Sequence, residues 1–360
     1  MRYRELGRTG LKVSVIGFGG IKLPKVSEEE AVDALNRALD LGINFIDTAR
    51  DYGDSERKIG VVLRKRRDEC YIATKVEARD AEGATGELET SLRELNVDRT
   101  DLHQLHRVNS PQDFERVTSP GGALEALKRA RDKGKTSHIG ISIHRDLEVM
   151  RMAIESGEFE TIMLAYSPLD QEGVEDEILP VAKEHGIGVI AMKPLSGGQL
   201  VSHPSGAEVK GPGYDPVVRG SLRYILSNDA VSLAIPGMTC RREVEENAAT
   251  GDMGPMTVGE KEELFRLIGR LGKTYRYGQF CLRCEYCQPC PQGIRIPEIF
   301  RAFDIYTGYP EPLRAKGLEL YRSLEIKPDS CVECRQCVEI CPAGIPIPER
   351  LREVARVLEA

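Results

Sequence analysis

The chain has 360 residues, 41% of them hydrophobic and 30% charged, with 57 acidic against 50 basic side chains and a net charge of −7. These proportions suit a globular protein with enough sequence for a large core, and the acidic balance argues against nucleic acid or an anionic membrane face as the main partner. No apolar run reaches the roughly 18 residues of a membrane span, and the start, Met1 to Leu6, lacks the apolar stretch of a signal peptide, so the expected location is the cytoplasm.

Up to residue 255 short β-rich runs alternate with amphipathic helical stretches. Strands are expected over 15–19, 43–47, 71–75, 102–106, 137–143, 161–165, 188–192 and 232–236. Helical spacing falls between them, over 28–41, 55–64, 87–95, 122–131, 147–156, 175–185, 216–226 and 241–249. Eight strands, each followed by a helix, is the pattern of a (β/α)8 TIM barrel. The rival is a doubly wound open sheet. Gly17-Phe18-Gly19-Gly20 does not match the glycine fingerprint of that fold, however, and no helix opens directly after it.

In such a barrel the C-terminal strand ends face one shared site. The second strand runs out through Asp47 and Tyr52, the third ends at Lys75, and the fourth ends at His106. A lysine ammonium beside a phenol stabilises the phenolate, and a carboxylate would hold that ammonium charged and in place. A histidine could then orient a carbonyl while the phenol protonates its oxygen. Each residue alone has a plainer reading: Asp47 as a cap, Lys75 as a surface charge, Tyr52 as packing. His103 is expected to face the other side of its strand and to be structural.

A linking helix is expected over 256–277, with helical spacing over 258–271, followed by a mainly helical domain over 278–360. Of ten cysteines, eight crowd into this last part, leaving only Cys70 and Cys240 before it. They form two runs, Cys281-x2-Cys284-x2-Cys287-x2-Cys290-Pro and Cys331-x2-Cys334-x2-Cys337-x3-Cys341-Pro. Zinc ligands come as separated pairs, whereas triplets ending in Cys-Pro point to two [4Fe–4S] clusters. The runs resemble those of two-cluster ferredoxins, which implies crossed wiring: Cys281, Cys284 and Cys287 with Cys341, and Cys331, Cys334 and Cys337 with Cys290. The first run departs from the usual spacing before its fourth cysteine, by two residues instead of three. The segment 290–300 also echoes 341–351, each with a proline at an expected helix start (Pro297, Pro348), so the domain reads as a duplicated half-module.

Asp47, Tyr52, Lys75 and His106, with Gly53-Asp54-Ser55-Glu56 after the tyrosine, resemble the aldo-keto reductases, in the branch with a C-terminal ferredoxin-like domain. The resemblance implies a barrel binding NADP(H) or NAD(H) and reducing small aldehydes or ketones. It assigns Tyr52 as general acid, Asp47 and Lys75 as its tuners, and His106 as the residue that orients substrate. It also places cofactor contacts at Ser142, Lys193, Gly237, Met238, Arg242, Glu246 and Asn247. Ile143 and Met163 stand where the family has Asn and Gln against the nicotinamide carboxamide.

A hydride carries two electrons and a cluster accepts one, so direct coupling would call for a flavin, for which the sequence holds no signature. A redox partner protein is the other candidate for the electrons. The alternative function is an electron-transfer or redox-sensing protein whose barrel does not turn over nicotinamide.

Overall fold

The computed structural model describes residues 1–144, 146–169, 171, 173–198, 200, 216–269, 281, 284–308, 311–341 and 343–359. The chain divides into two compact units, Met1–Pro194 with Leu222–Met256, and Leu195–Ser221 with Thr257–Ala360. The link expected after 271, and residues 201–215 between the strand expected over 188–192 and the helix expected over 216–226, lie outside the described residues.

The first unit opens with an antiparallel hairpin, β1 (Tyr3–Glu5) and β2 (Lys12–Ser14), which the sequence reading did not anticipate. Eight parallel strands follow: β3 (Phe18–Gly19), β4 (Phe45–Asp47), β5 (Tyr71–Val76), β6 (Thr100–Leu105), β7 (Thr136–Ile143), β8 (Thr161–Ala165), β9 (Gly188–Met192) and β10 (Val231–Ala234), each paired with the next. The sheet closes on itself. Gly17 N donates to Ala234 O at 2.9 Å, Gly19 N to Pro236 O at 3.0 Å, and Ala234 N to Val15 O at 2.9 Å. A Cβ on Gly17 would lie 2.9 Å from the Ile235 and Leu233 side chains, and one on Gly19 2.9 Å from the Ile235 and Pro236 carbonyls. The glycines of Gly17-Phe18-Gly19-Gly20 are thus what the seam of a (β/α)8 barrel needs. The strand positions of β4, β6, β8, β9 and β10 are nearly all buried, as parallel strands covered on both faces must be.

The helices up to residue 251 are α1 (Glu28–Asp40), α2 (Ser55–Arg66), α3 (Ala81–Leu95), α4 (Pro111–Thr118), α5 (Ala123–Asp132), α6 (Leu147–Glu155), α7 (Leu179–Glu184), α8 (Pro216–Leu226), whose residues up to Ser221 fall in the second unit, and α9 (Arg241–Gly251). Their starts follow from capping chemistry. At α1, Ser27 Oγ accepts from Glu30 N at 3.2 Å and Ser27 N donates to Glu30 Oε2 at 2.9 Å, a reciprocal capping box. α3 begins six residues earlier than its apolar spacing suggests, because Asp80 accepts from Gly83 N at 2.9 Å and outweighs the poor helix formers behind it. α4 lies in a stretch to which the sequence assigns no element, where Ser110 caps a helix with Pro111 at its first turn.

The hairpin packs on the N-terminal strand ends. Leu6 is fully buried, Arg8 N donates to Gly186 O at 2.8 Å, and the Arg4 guanidinium reaches Leu226 O at 2.7 Å.

The second unit contains α10 (Val258–Gly269), α11 (Ile296–Gly308), α12 (Glu311–Ser323), α13 (Gln336–Glu339) and α14 (Ile347–Leu358). Its duplication is structural as well as sequential. Gly293 and Gly344 both take positive φ (72 and 60), and each is followed by a buried isoleucine pair, Ile294/Ile296 and Ile345/Ile347. α11 packs on both α12 and α14, with Phe300 and Leu351 buried at equivalent places of the repeat.

Gly7 tests the hairpin. It holds φ 53, and a Cβ there would sit 2.1 Å from Gly188 N. Gly7→Ala is expected to destabilise the barrel by on the order of 2–4 kcal/mol, read as a lower urea midpoint at unchanged slope. A change within about 0.5 kcal/mol would contradict this packing.

Candidate active site and cluster ligands

Adjacent parallel strands set Asp47, at the end of β4, beside Lys75 of β5, with Asp47 opposite Ala73 in register. Both side chains are buried, Lys75 at 1% exposure and Asp47 at 2%. Lys75 Nζ donates to both Asp47 carboxylate oxygens at 2.8 Å and to the Thr48 carbonyl at 2.7 Å. All three ammonium protons are therefore placed, the condition under which a buried cation is tolerable. Burial pushes the Asp47 carboxyl up from its ordinary value, against the pull of Lys75, His106 and Gln104.

Tyr52 stands on the turn after β4, closed by Tyr52 N donating to Ala49 O at 3.1 Å and Ser55 N donating to Tyr52 O at 2.9 Å. The residues after it anchor this turn. Ser55 Oγ donates to Gly20 O at 3.0 Å and accepts from Thr48 Oγ1 at 2.9 Å. Glu56, also buried, accepts from Thr74 Oγ1 at 2.6 Å and pairs with Arg50. The Tyr52 ring is thereby held with its centroid 5.0 Å from Lys75 Nζ and edge-on to His106, at 5.7 Å between centroids and 75° between planes. The four residues from three strand ends thus meet at one place.

Three further residues gather there that were not singled out as site residues in the sequence. His106 Nδ1 lies 3.1 Å from Glu77 Oε2 and 3.3 Å from Asp51 Oδ1. Arg107, in a left-handed conformation at φ 53, turns back to place Nη2 2.8 Å from Glu77 and 3.6 Å from Asp51. Burial raises both carboxyls, but His106 and Arg107 more than offset it and hold them below their ordinary range. Asp51, Glu77 and His106 have the donor types of a metal site. The Arg107 guanidinium, however, already answers the carboxylate charge. The signal available was positional: Glu77 follows Lys75 by two residues, and Asp51 directly precedes Tyr52. His103 is buried 3.2 Å from Thr100 Oγ1 and held neutral, its pKa lowered to about 3 by burial and by Lys75.

The expected cofactor positions fall at two places in the first unit. Ser142 is the last residue but one of β7, its Oγ accepting from Arg107 N at 3.3 Å, and Lys193 follows β9 at φ 52. Gly237 and Met238 follow the seam, Gly237 bridging Gly19, and lead to α9, which carries Arg242, Glu246 and Asn247. A nicotinamide dinucleotide fits the first place through His144. This histidine is 3% exposed beside Ser142, its Nδ1 has no partner among the described residues, and burial followed by Lys193 and His106 keeps it neutral. The second place is less open to phosphate than its arginines suggest. Glu243 accepts from Thr239 N at 2.7 Å at the helix start, while Arg241 pairs with Asp33 at 2.9 Å and Arg242 with Glu246 at 3.0 Å. Ile143 and Met163 are buried and apolar, so the amide contacts they replace are not supplied at those positions.

In the second unit the cysteines form two sets. Cys281, Cys284, Cys287 and Cys341 line one cavity with Ile296, Phe300, Ile345 and Ile347. Cys290, Cys331, Cys334 and Cys337 line another, which Cys287 also borders. Burial, together with Cys284, Cys341 and Cys337, pushes the Cys287 thiol up to about 12, and burial with Cys331 pushes Cys337 to about 11. Thiols crowded this way ionise together only around a compensating cation such as cluster iron, so the residues fit the group. The short spacing before Cys290 still delivers it to the second set.

Residues 15–220 match the Aldo/keto reductase family and residues 280–345 the 4Fe-4S dicluster domain. The chain is 31% identical over 283 residues to L-galactose dehydrogenase of Arabidopsis thaliana, covering 68% of this chain and 86% of that protein. It is 27% identical to the uncharacterized oxidoreductase YqkF of Bacillus subtilis, over 73% of this chain and 95% of the relative. Among solved structures, aldo-keto reductase AKR11C1 from Bacillus halodurans in its holo form superposes with a TM-score of 0.63 at 28% identity, over 74% of this chain and 96% of that one.

The crossed arrangement makes a specific prediction. Cys290→Ala should lower iron from about eight to about four per chain, while Cys240→Ala leaves it unchanged. Full iron in the Cys290 variant would overturn the crossed wiring.

Proposed function

Because this chain belongs to the aldo/keto reductase family and is an oxidoreductase with a 4Fe-4S dicluster domain, we propose that it reduces the carbonyl of a small aldehyde or ketone with a nicotinamide dinucleotide. The observation that carries this reading is the buried Lys75 ammonium, saturated by Asp47 and Thr48 beneath the Tyr52 ring and beside His106. When bound, the nicotinamide supplies hydride and each cluster exchanges single electrons.

The protein's own residues supply the proton and the geometry. Tyr52 Oη donates a proton to the carbonyl oxygen as negative charge develops there, and the Lys75 charge favours the phenolate left behind. Asp47 keeps that charge fixed, and His106 orients the oxygen. Ser142, His144 and Lys193 would hold the nicotinamide end, and Gly237, Met238, Arg242, Glu246 and Asn247 the adenosine end. Cys281, Cys284, Cys287 and Cys341 would hold one cluster, and Cys290, Cys331, Cys334 and Cys337 the other.

A second reading, an electron-transfer protein with an idle barrel, is favoured by one feature: Val332 at 61% exposure and Ile340 at 40% leave the second cysteine set close to solvent.

Tyr52→Phe is expected to lower kcat for carbonyl reduction about 10²- to 10⁴-fold, with the visible cluster absorbance unchanged; retained turnover would refute the catalytic reading. Anaerobic titration of the wild type with NADPH or NADH should bleach that absorbance if barrel and clusters exchange electrons. Turnover of a test aldehyde without bleaching would instead leave the clusters a structural role.

A further inference from the structure

The start of α9 carries an acidic side chain where a phosphate would call for open donors and free cations. Glu243 accepts from Thr239 N at 2.7 Å and from Thr239 Oγ1 at 2.9 Å. Its carboxylate thus takes the N–H just ahead of the helix and lies in the field of the helix N-terminus, which favours an anion. Phosphates are held by the same combination of backbone donors and field. The chain has filled that place with a charge of its own.

The arginines nearby are committed as well. Arg241 Nη1 lies 2.9 Å from Asp33 of α1, Arg242 Nε 3.0 Å from Glu246, and Arg37 Nε of α1 2.8 Å from Glu245. Each of these cations has its own carboxylate, whereas Glu243 has no ion-pair partner among the described residues. Lys22, in the loop after β3, adds one more cation, its Cγ 3.0 Å from where a Cβ on Gly237 would lie. Counting it, basic and acidic groups at this end only balance, and no excess positive charge is offered to an incoming dianion.

NAD and NADP differ at one place, the adenosine ribose, where NADP carries a phosphate and NAD a neutral hydroxyl. A carboxylate beside that ribose tolerates the hydroxyl and repels the phosphate, and dinucleotide sites on other folds select NAD with an acidic residue there. We propose that Glu243 makes this protein selective for NAD(H), by holding at the start of α9 a negative charge that the 2′-phosphate of NADP(H) meets with repulsion. This rests on the reading of the barrel as a nicotinamide-dependent reductase with the adenosine end at Gly237, Met238 and α9, and adds to it which dinucleotide is taken. As a helix cap alone, Glu243 would affect both dinucleotides equally, so charge separates the two roles.

The test is calorimetric titration of the cluster-loaded protein with NAD⁺ and with NADP⁺, oxidised forms that do not deliver electrons to the clusters. The wild type should bind NAD⁺ roughly tenfold to a hundredfold more tightly. That preference should shrink as salt is raised, because Glu243 is exposed. Glu243→Gln keeps an oxygen that can accept from Thr239 but loses the charge. It should tighten NADP⁺ binding and leave NAD⁺ binding nearly unchanged, and Glu243→Arg should carry the shift further. NADP⁺ binding as tightly as NAD⁺ to the wild type overturns the proposal. Equal weakening of both by Glu243→Gln does so too, since it would show a cap and nothing more. If neither dinucleotide binds, the nicotinamide reading itself fails and the proposal falls with it, an outcome distinct from equal binding of the two.

Discussion

The site depends on burying a lysine–aspartate pair between two barrel strands. Removing two charges from water costs several kcal/mol per ion, and their attraction repays it only when geometry and remaining hydrogen bonds are complete. Here they are complete: two carboxylate oxygens and one carbonyl take the three ammonium protons. That completeness depends on the pairing of β4 with β5, because a slip of one residue would turn Asp47 or Lys75 to the opposite face. The pairing in turn depends on a closed sheet. The glycines that let β3 approach β10 therefore act at a distance on the chemistry.

A second rule recurs in both units: like charges are crowded and then answered by a cation. Around His106, Glu77 and Asp51 sit together because Arg107 bends back onto them, and the left-handed backbone at Arg107 is the local cost of that bend. In the C-terminal unit four thiols line one cavity and five the other, a grouping that iron resolves and that an apoprotein would find unfavourable. The two cavities differ in character. One is walled by isoleucines and Phe300, while the other is bordered by exposed Val332 and Ile340.

The barrel was legible because its strands are short, apolar and regularly separated by amphipathic helices, and because Asp47, Lys75 and His106 stand at or next to successive strand ends. What escaped had no periodic signal. The β1–β2 hairpin has three-residue strands built around Gly7 and Gly10, too short for alternation to register. The early start of α3 rests on one cap, Asp80, ahead of weak helix formers. Asp51, Glu77 and Arg107 could not be read as a group, since nothing in the sequence tells that Arg107 reverses direction to reach them. The cysteine runs were legible as two sets because ligand spacing is set by the cluster. Where the first run departs from that spacing, the fold still brings Cys290 to the second cavity.

On the proposed carbonyl-reducing reading, the buried Asp47–Lys75 pair serves chemistry at a cost to stability. A double-mutant cycle tests this most directly, by measuring urea unfolding of the barrel and carbonyl reduction for Lys75→Met, Asp47→Leu and the two combined. Each single change should cost about 3–5 kcal/mol by stranding a buried charge. The combined variant should recover most of that stability, and all three should lose turnover. A combined variant as unstable as either single change, or one that still reduces carbonyls at the wild-type rate, would contradict the claim.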